Sequence, residues 1–151
     1  MIRIIAIGKR HEDWVSNGIE RYQKRLKKPF AVEWVLLPHS AKSDLQARQS
    51  ESQAILARLS PSDYVVLLDE TGHLHDSPAL SGLLTSAFSR DAHITIIIGG
   101  AYGVNEEVQA RAQIVWSLSP LVFPHQLVRL LLIEQLYRAQ EIAAGHPYHH
   151  E

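Results

Sequence analysis

Ile94-Thr95-Ile96-Ile97-Ile98-Gly99-Gly100-Ala101-Tyr102-Gly103 decides how this chain is read. A β-branched run stops abruptly at paired glycines. The run has the composition of a strand buried on both faces, and the glycines allow a sharp exit with positive φ or close approach of a ligand. Two more exits follow. Trp116-Ser117-Leu118-Ser119 closes a second short apolar run, and Phe123-Pro124-His125-Gln126-Leu127 opens a long apolar helix carrying Arg129, Glu134, Tyr137 and Arg138. Strand exits in series are what a pocket at the carboxyl ends of a parallel sheet requires.

Working outward, strand and helix patterns alternate along the whole chain. Ile2–Ile7 is a strand ending at Gly8. Asp13 can cap a helix running to about Lys28, before Pro29. Val32–Leu37 is a second strand, and Ser43 or Asp44 opens a helix through Leu59. Tyr64–Leu68 is a third strand, ending in Asp69-Glu70-Thr71-Gly72. Ser77-Pro78 starts a third helix. Ile94–Ile98 is the fourth strand, Asn105 starts a short helix, and Ile114–Leu118 is the fifth strand. The last helix runs from Pro124 to about Ala144, ended by Gly145. The expectation is one α/β domain over residues 1–151, with a five-stranded, mainly parallel sheet and helices on both faces. Periodicity alone stops there and assumes an unknotted chain.

Composition narrows the function. The 151 residues are 46% hydrophobic and 21% charged, which fits a single globular domain with its own core. No apolar run approaches the ~20 residues of a membrane span, and Met1–Gly8 reads as a strand rather than a signal peptide, so a cytoplasmic protein with no membrane partner is expected. The absence of cysteine excludes disulfides and thiolate chemistry. Net charge is −1, but residues 1–28 hold eight of the fifteen Lys and Arg against three acids, leaving that segment at +5 and the rest at −6. Such a segment can meet a polyanion, and it is equally what a solvated helix face looks like.

Three features carry chemistry. The glycine turn at 99–103 lacks the spacing of a dinucleotide fingerprint and the Lys of a P-loop. Glu134 and Arg138 have the favourable order of a helical ion pair, yet the helix around them is apolar on nearly every side, and charges on a buried helix need a reason. The tail His146-Pro147-Tyr148-His149-His150-Glu151 collects titratable groups. Its spacing resembles no closed zinc site, and no metal is expected.

The set Leu67-Leu68-Asp69-Glu70-Thr71-Gly72, Ile98-Gly99-Gly100-Ala101-Tyr102-Gly103, Ser117-Leu118-Ser119, Phe123-Pro124-His125-Gln126-Leu127, Ile133-Glu134-Gln135-Leu136-Tyr137-Arg138-Ala139 and Pro147-Tyr148-His149 resembles the RlmH family. Those are small 23S rRNA pseudouridine N3-methyltransferases of the SPOUT class. The resemblance implies a carboxyl-terminal trefoil knot, a homodimer and S-adenosylmethionine as cofactor; the last helix, apolar around most of its circumference, is expected at the dimer interface. It implies cofactor contacts at Leu68, Gly99, Gly100 and the segment Leu118, Ser119, Pro120, Leu121, Val122 and Phe123. It implies a catalytic group of Arg138, Tyr148 and His149, with His149 as proton acceptor, Arg138 on a developing oxyanion or a phosphate, and Tyr148 stacking on a base. The implied target is a pseudouridine of the helix-69 loop of 23S rRNA, met on an assembled ribosome. The family usually carries Lys or Arg after that His; His150 stands there in this chain. The alternative from another class is a non-catalytic ribosome-binding or assembly factor that keeps the fold, and methyl transfer to ribosomes discriminates the two.

Overall fold

Each central strand of the computed structural model, which describes residues 1–150, is a nearly continuous apolar run. The strands are β1 (Ile2–Ile7), β2 (Val32–Leu37), β3 (Asp63–Leu74), β4 (His93–Ile98) and β5 (Ile114–Ser117), in one sheet ordered β2-β1-β4-β3-β5. Every strand pairing is parallel. Such a sheet must be covered on both faces. Helices α1 (Asp13–Gln23), α3 (Ser77–Ser89) and α5 (His125–Ala143) share one core with β1 and β4 through Ile4, Ile96, Leu84, Leu132, Ile133 and Leu136. Helices α2 (Asp44–Leu56) and α4 (Glu106–Arg111) contact each other, and Ile55 and Val108 share the second core with Ile5, Ile7, Val65 and Ile97. No helix of the described residues is long and apolar enough to cross a membrane.

The architecture agrees with the sequence reading, and the differences have local causes. Helix α1 stops at Gln23 rather than Lys28, because Leu26 and Phe30 turn inward to join the core. Its cap is Glu12, with Asp13 as the first helical residue. The cap of α3 is Asp76, whose carboxylate accepts from the Ala79 N–H at 2.8 Å, so that Ser77 and Pro78 fall in the first turn. The largest difference is β3. Asp69-Glu70-Thr71-Gly72 is not the end of the strand. The pairing with β5 skips from Leu68↔Trp116 to His73↔Trp116 and Leu74↔Ser117, so residues 69–72 form a bulge inside a longer strand. Gly72 permits it: a Cβ there would stand 2.6 Å from the Val115 carbonyl oxygen.

The route of the last segment positions the site. The chain leaves β5 at one edge of the sheet and starts α5 beside the exit of β1. The Arg129 guanidinium, completely buried, fastens it there. It donates to the carbonyls of Ile7, Gly8 and Arg10 at 3.1 Å each. Gly8 sits at φ +125°, and a Cβ on it would stand 2.7 Å from the Arg129 Nη2.

Candidate functional site

Between the β5 edge and the start of α5, residues 118–123 arch over the ends of the strands and enclose a cavity of about 690 Å³. That is the size of a small-molecule site. Leu67, Leu68, Asp69 and Glu70 of β3 form one side, and Ile98, Gly99, Gly100, Ala101, Gly103 and Val104 a second. Leu118, Ser119, Leu121, Val122 and Phe123 form the arch, closed by His125, Gln126 and Val128 of α5 and by His39. Eight of the nine residues expected around a cofactor therefore line one cavity. Pro120 does not. The Leu121 N–H bonds back to the Ser119 Oγ at 3.0 Å, and the local turn leaves Pro120 exposed at its tip.

The glycines work differently from the sequence expectation. Neither Gly99 nor Gly100 has positive φ; only Gly103 in this turn does, at +75°. They are needed for close packing. A Cβ on Gly99 would stand 2.9 Å from the Val104 Cγ1, and one on Gly100 would stand 2.5 Å from Glu51 Oε1 and 3.2 Å from Ile7 Cγ2. Their bare backbone is what remains to face the cavity. Leu121 and Val122 are 69% and 78% exposed on the rim, an apolar edge that this chain does not cover by itself.

His125 is neutral at physiological pH. Burial, the Arg129 cation and His39 push its pKa down to about 4, against a hydrogen bond with the Gly99 backbone that raises it. It stands at the start of α5 and lines the cavity together with Gly99. Burial and Arg129 lower the pKa of His11 as well.

Arg138, Tyr148 and His149 gather elsewhere, around Glu134. Arg138 Nη2 donates to Glu134 Oε2 at 2.8 Å, and the Tyr148 hydroxyl donates to the same oxygen at 2.9 Å. The guanidinium lies 4.8 Å from the Tyr148 ring centroid, and Tyr148 meets Tyr137 edge-on at 4.9 Å. Arg138 Nη1 is 3.2 Å from His149 Nδ1. A guanidinium has no acceptor, so Nδ1 accepts and the neutral His149 ring carries its proton on Nε2. The carboxylate of Glu134 raises the pKa of Arg138. Burial and the Glu134 carboxylate push the Tyr148 phenol up to about 12, which keeps it a donor.

Glu134 is thus the hub, a role the sequence reading did not give it. Gln135 Nε2 also donates to its other oxygen at 2.7 Å, and Ser77 Oγ holds Gln135 at 2.7 Å. The available signal was the spacing Glu134-x-x-x-Arg138 on a buried helix. None of residues 134–149 lines the cavity. Thirteen residues of helix separate His125 from Arg138, roughly 20 Å at 1.5 Å per residue.

Residues 1–149 match the family model described as "Predicted SPOUT methyltransferase". Ribosomal RNA large subunit methyltransferase H of Desulfitobacterium hafniense is 38% identical to this chain, with 98% of each covered. The proteins of that name from Oleidesulfovibrio alaskensis and Pseudomonas aeruginosa are each 39% identical; the alignments cover 99% and 98% of this chain and 98% of each relative. Among solved structures, the SpoU methyltransferase AviRb of Streptomyces viridochromogenes in complex with AdoMet aligns with a TM-score of 0.47 and 14% identity, covering 95% of this chain and 58% of that one. The chain belongs to the SPOUT methyltransferases, in the family of its ribosomal RNA large subunit methyltransferase H relatives.

Proposed function

We propose that this protein transfers a methyl group from S-adenosylmethionine to 23S rRNA of the large ribosomal subunit, at N3 of a pseudouridine in the helix-69 loop. The observation that carries the reading is the cavity. Its arch of Leu118, Leu121, Val122 and Phe123 suits a flat heterocycle, and the glycine backbone at 99–100 leaves the opposite wall free of side chains. When bound there, the cofactor supplies an electrophilic methyl on a sulfonium. Leu118, Leu121, Val122 and Phe123 would hold its apolar part, and the glycine backbone at 99–100 would lie against it.

The Glu134 cluster handles the base. As N3 loses its proton, negative charge grows on the flanking carbonyl oxygens of the ring. Arg138 and the Nε2–H of His149 are donors suited to that charge. The N3 proton passes to His149 Nδ1 once that nitrogen releases Arg138 Nη1, leaving an imidazolium, while the donor that gave up its methyl departs as a neutral thioether. Tyr148, rigidly hydrogen-bonded, offers its ring to the base as a stacking face.

Cavity and cluster are separated along α5, which favours a two-fold homodimer. A second copy can bring its cluster to the cavity of the first and cover Leu121 and Val122. Leu127, Val128, Leu130 and Leu131, part-exposed on α5, suit the same interface. The chain path from β5 across to the β1 exit supports the trefoil knot of the class. The basic residues of segment 1–28 supply a surface for RNA phosphates, and a ribosomal substrate places the enzyme in the cytoplasm.

The test uses ribosomes from a strain lacking the modification. Labelled methyl from S-adenosylmethionine should appear at N3 of one pseudouridine of 23S rRNA. Cofactor binding and ribosome binding with no transfer would support the assembly-factor alternative.

A further inference from the structure

Helix α2 turns an unusual face to the protein interior. Its buried residues are Ala47, Glu51, Ser52 and Ile55. Ala47 and Ile55 are ordinary core residues; a buried carboxylate and a buried hydroxyl between them are not. Ser52 Oγ accepts the Asn105 N–H at 2.9 Å, and Gln49 Oε1 accepts from Asn105 Nδ2 at 3.0 Å. Arg48 Nε donates to the Tyr102 carbonyl at 2.7 Å. One face of α2 therefore grips the turn from Gly99 to Asn105, which walls the cavity.

Glu51 does something further. Its Oε2 accepts the Ser40 N–H at 2.9 Å and lies 3.9 Å from His39 Nδ1, in the exit of β2. Its Oε1 rests against Gly100 and has no hydrogen-bond partner. One carboxylate thus spans two exits that both line the cavity, through His39 on one side and Gly100 on the other. A buried acceptor without a donor costs stability, and the Ser40 bond to the other oxygen offsets part of that cost. A carboxylate presents an oxygen to each side. The second oxygen occupies the space beside Gly100, 2.5 Å from where a Cβ would stand, and so limits how the turn can sit over α2.

We propose that Glu51 is a positioning residue for the methyl donor: bridging Ser40 and Gly100 from beneath, it sets the width of the cavity between the β2 and β4 exits. The inference rests on the cofactor reading of that cavity. An amide at this position keeps the Ser40 bond but turns an NH₂ against Gly100, and the turn shifts into the space the donor needs.

Glu51→Gln in the full-length protein tests this, with S-adenosylhomocysteine titrated calorimetrically and ribosomes as methyl acceptor. The Kd and the KM for the methyl donor should rise about fivefold, the scale of one or two weak contacts. The kcat and the KM for ribosomes should stay put, and Tm should hold or rise. An unchanged Kd overturns the proposal, and if Tm falls with it Glu51 is a strut of the fold only. A second arm does not depend on the amide. Gly100→Ala should weaken donor binding about tenfold by meeting Oε1. In a Glu51→Ala background the same change should cost less than about half as much, because the obstructing oxygen is gone and only the Ile7 Cγ2 at 3.2 Å remains. Equal costs in the two backgrounds overturn the proposal. Failure of the wild-type protein to bind S-adenosylhomocysteine would instead refute the cofactor reading, and it is measured first.

Discussion

The cavity and the Glu134 cluster are built in opposite ways. The cavity is largely apolar side chain and bare backbone, with Asp69, Glu70, His39 and His125 at its walls: β4 and β5 end there, β3 bulges beside them, and one arch covers all three. The cluster is side-chain polar, with one carboxylate organising an arginine, a tyrosine and, through the arginine, a histidine. The cavity is enclosed by elements of a single chain. The cluster is pre-organised but faces no cavity of its own chain. The difference teaches that the two sites are built independently, and under the proposed function changes in one should leave the other measurable.

The largest expected effect is on the cluster. Truncation after His146 removes Tyr148 and His149. Transfer to ribosomes should fall at least about 100-fold, the scale of lost proton handling and oxyanion stabilisation. S-adenosylhomocysteine affinity, read by calorimetry, should stay within about twofold, since the tail is absent from the cavity walls. Loss of cofactor binding on truncation would merge the two modules.

Glu134→Gln should come next. It removes the charge that holds Arg138 and Tyr148, and transfer should fall about tenfold to a hundredfold, the worth of a charge-assisted hydrogen bond. S-adenosylhomocysteine affinity should stay within about twofold, because Glu134 does not line the cavity; a general structural loss would lower Tm and weaken that binding too.

On the cavity side, Gly99→Val should weaken donor binding about tenfold and lower Tm, through overlap with Val104 at 2.9 Å. Ribosome affinity should not change. The smallest effect concerns the seam between the modules. His125 has a folded pKa near 4, below the ordinary 6.5, so the unfolded chain binds more protons between those values. Stability should therefore be full above pH 6.5 and decline as pH falls toward 4. His125→Asn should flatten that slope in melting curves recorded across the window.

Much of this was legible in the sequence. Apolar runs and glycine exits placed all five strands. Only the family resemblance singles out Leu118–Phe123, and that run, Pro120 excepted, lines the cavity. What escaped was long-range. Asp69-Glu70-Thr71-Gly72 looks like the end of a strand because Asp and Gly favour turns, and only the pairing of His73 and Leu74 with β5 continues it. Glu134 looked like half of a helical ion pair until Tyr148, fourteen residues on, met the same oxygen. Glu51 was invisible because α2 has no clean apolar stripe, its inward positions being shared between core and turn contacts. Of the two uses a glycine turn offers, positive φ falls to Gly103, while at Gly99 and Gly100 neighbouring side chains exclude a Cβ and the bare backbone lines the cavity.

The central claim is that the cavity of one chain works with the cluster of another. Mixing two inactive variants tests it most directly: Gly99→Val, defective in donor binding, and the truncation after His146, defective in the cluster. Each heterodimer then holds one cavity and one cluster that are intact, on different chains. Co-folded together, the pair should regain about a quarter of wild-type transfer, since random pairing gives half heterodimers with one working site each. Activity no greater than that of the two variants measured apart would contradict the account and return both modules to a single chain.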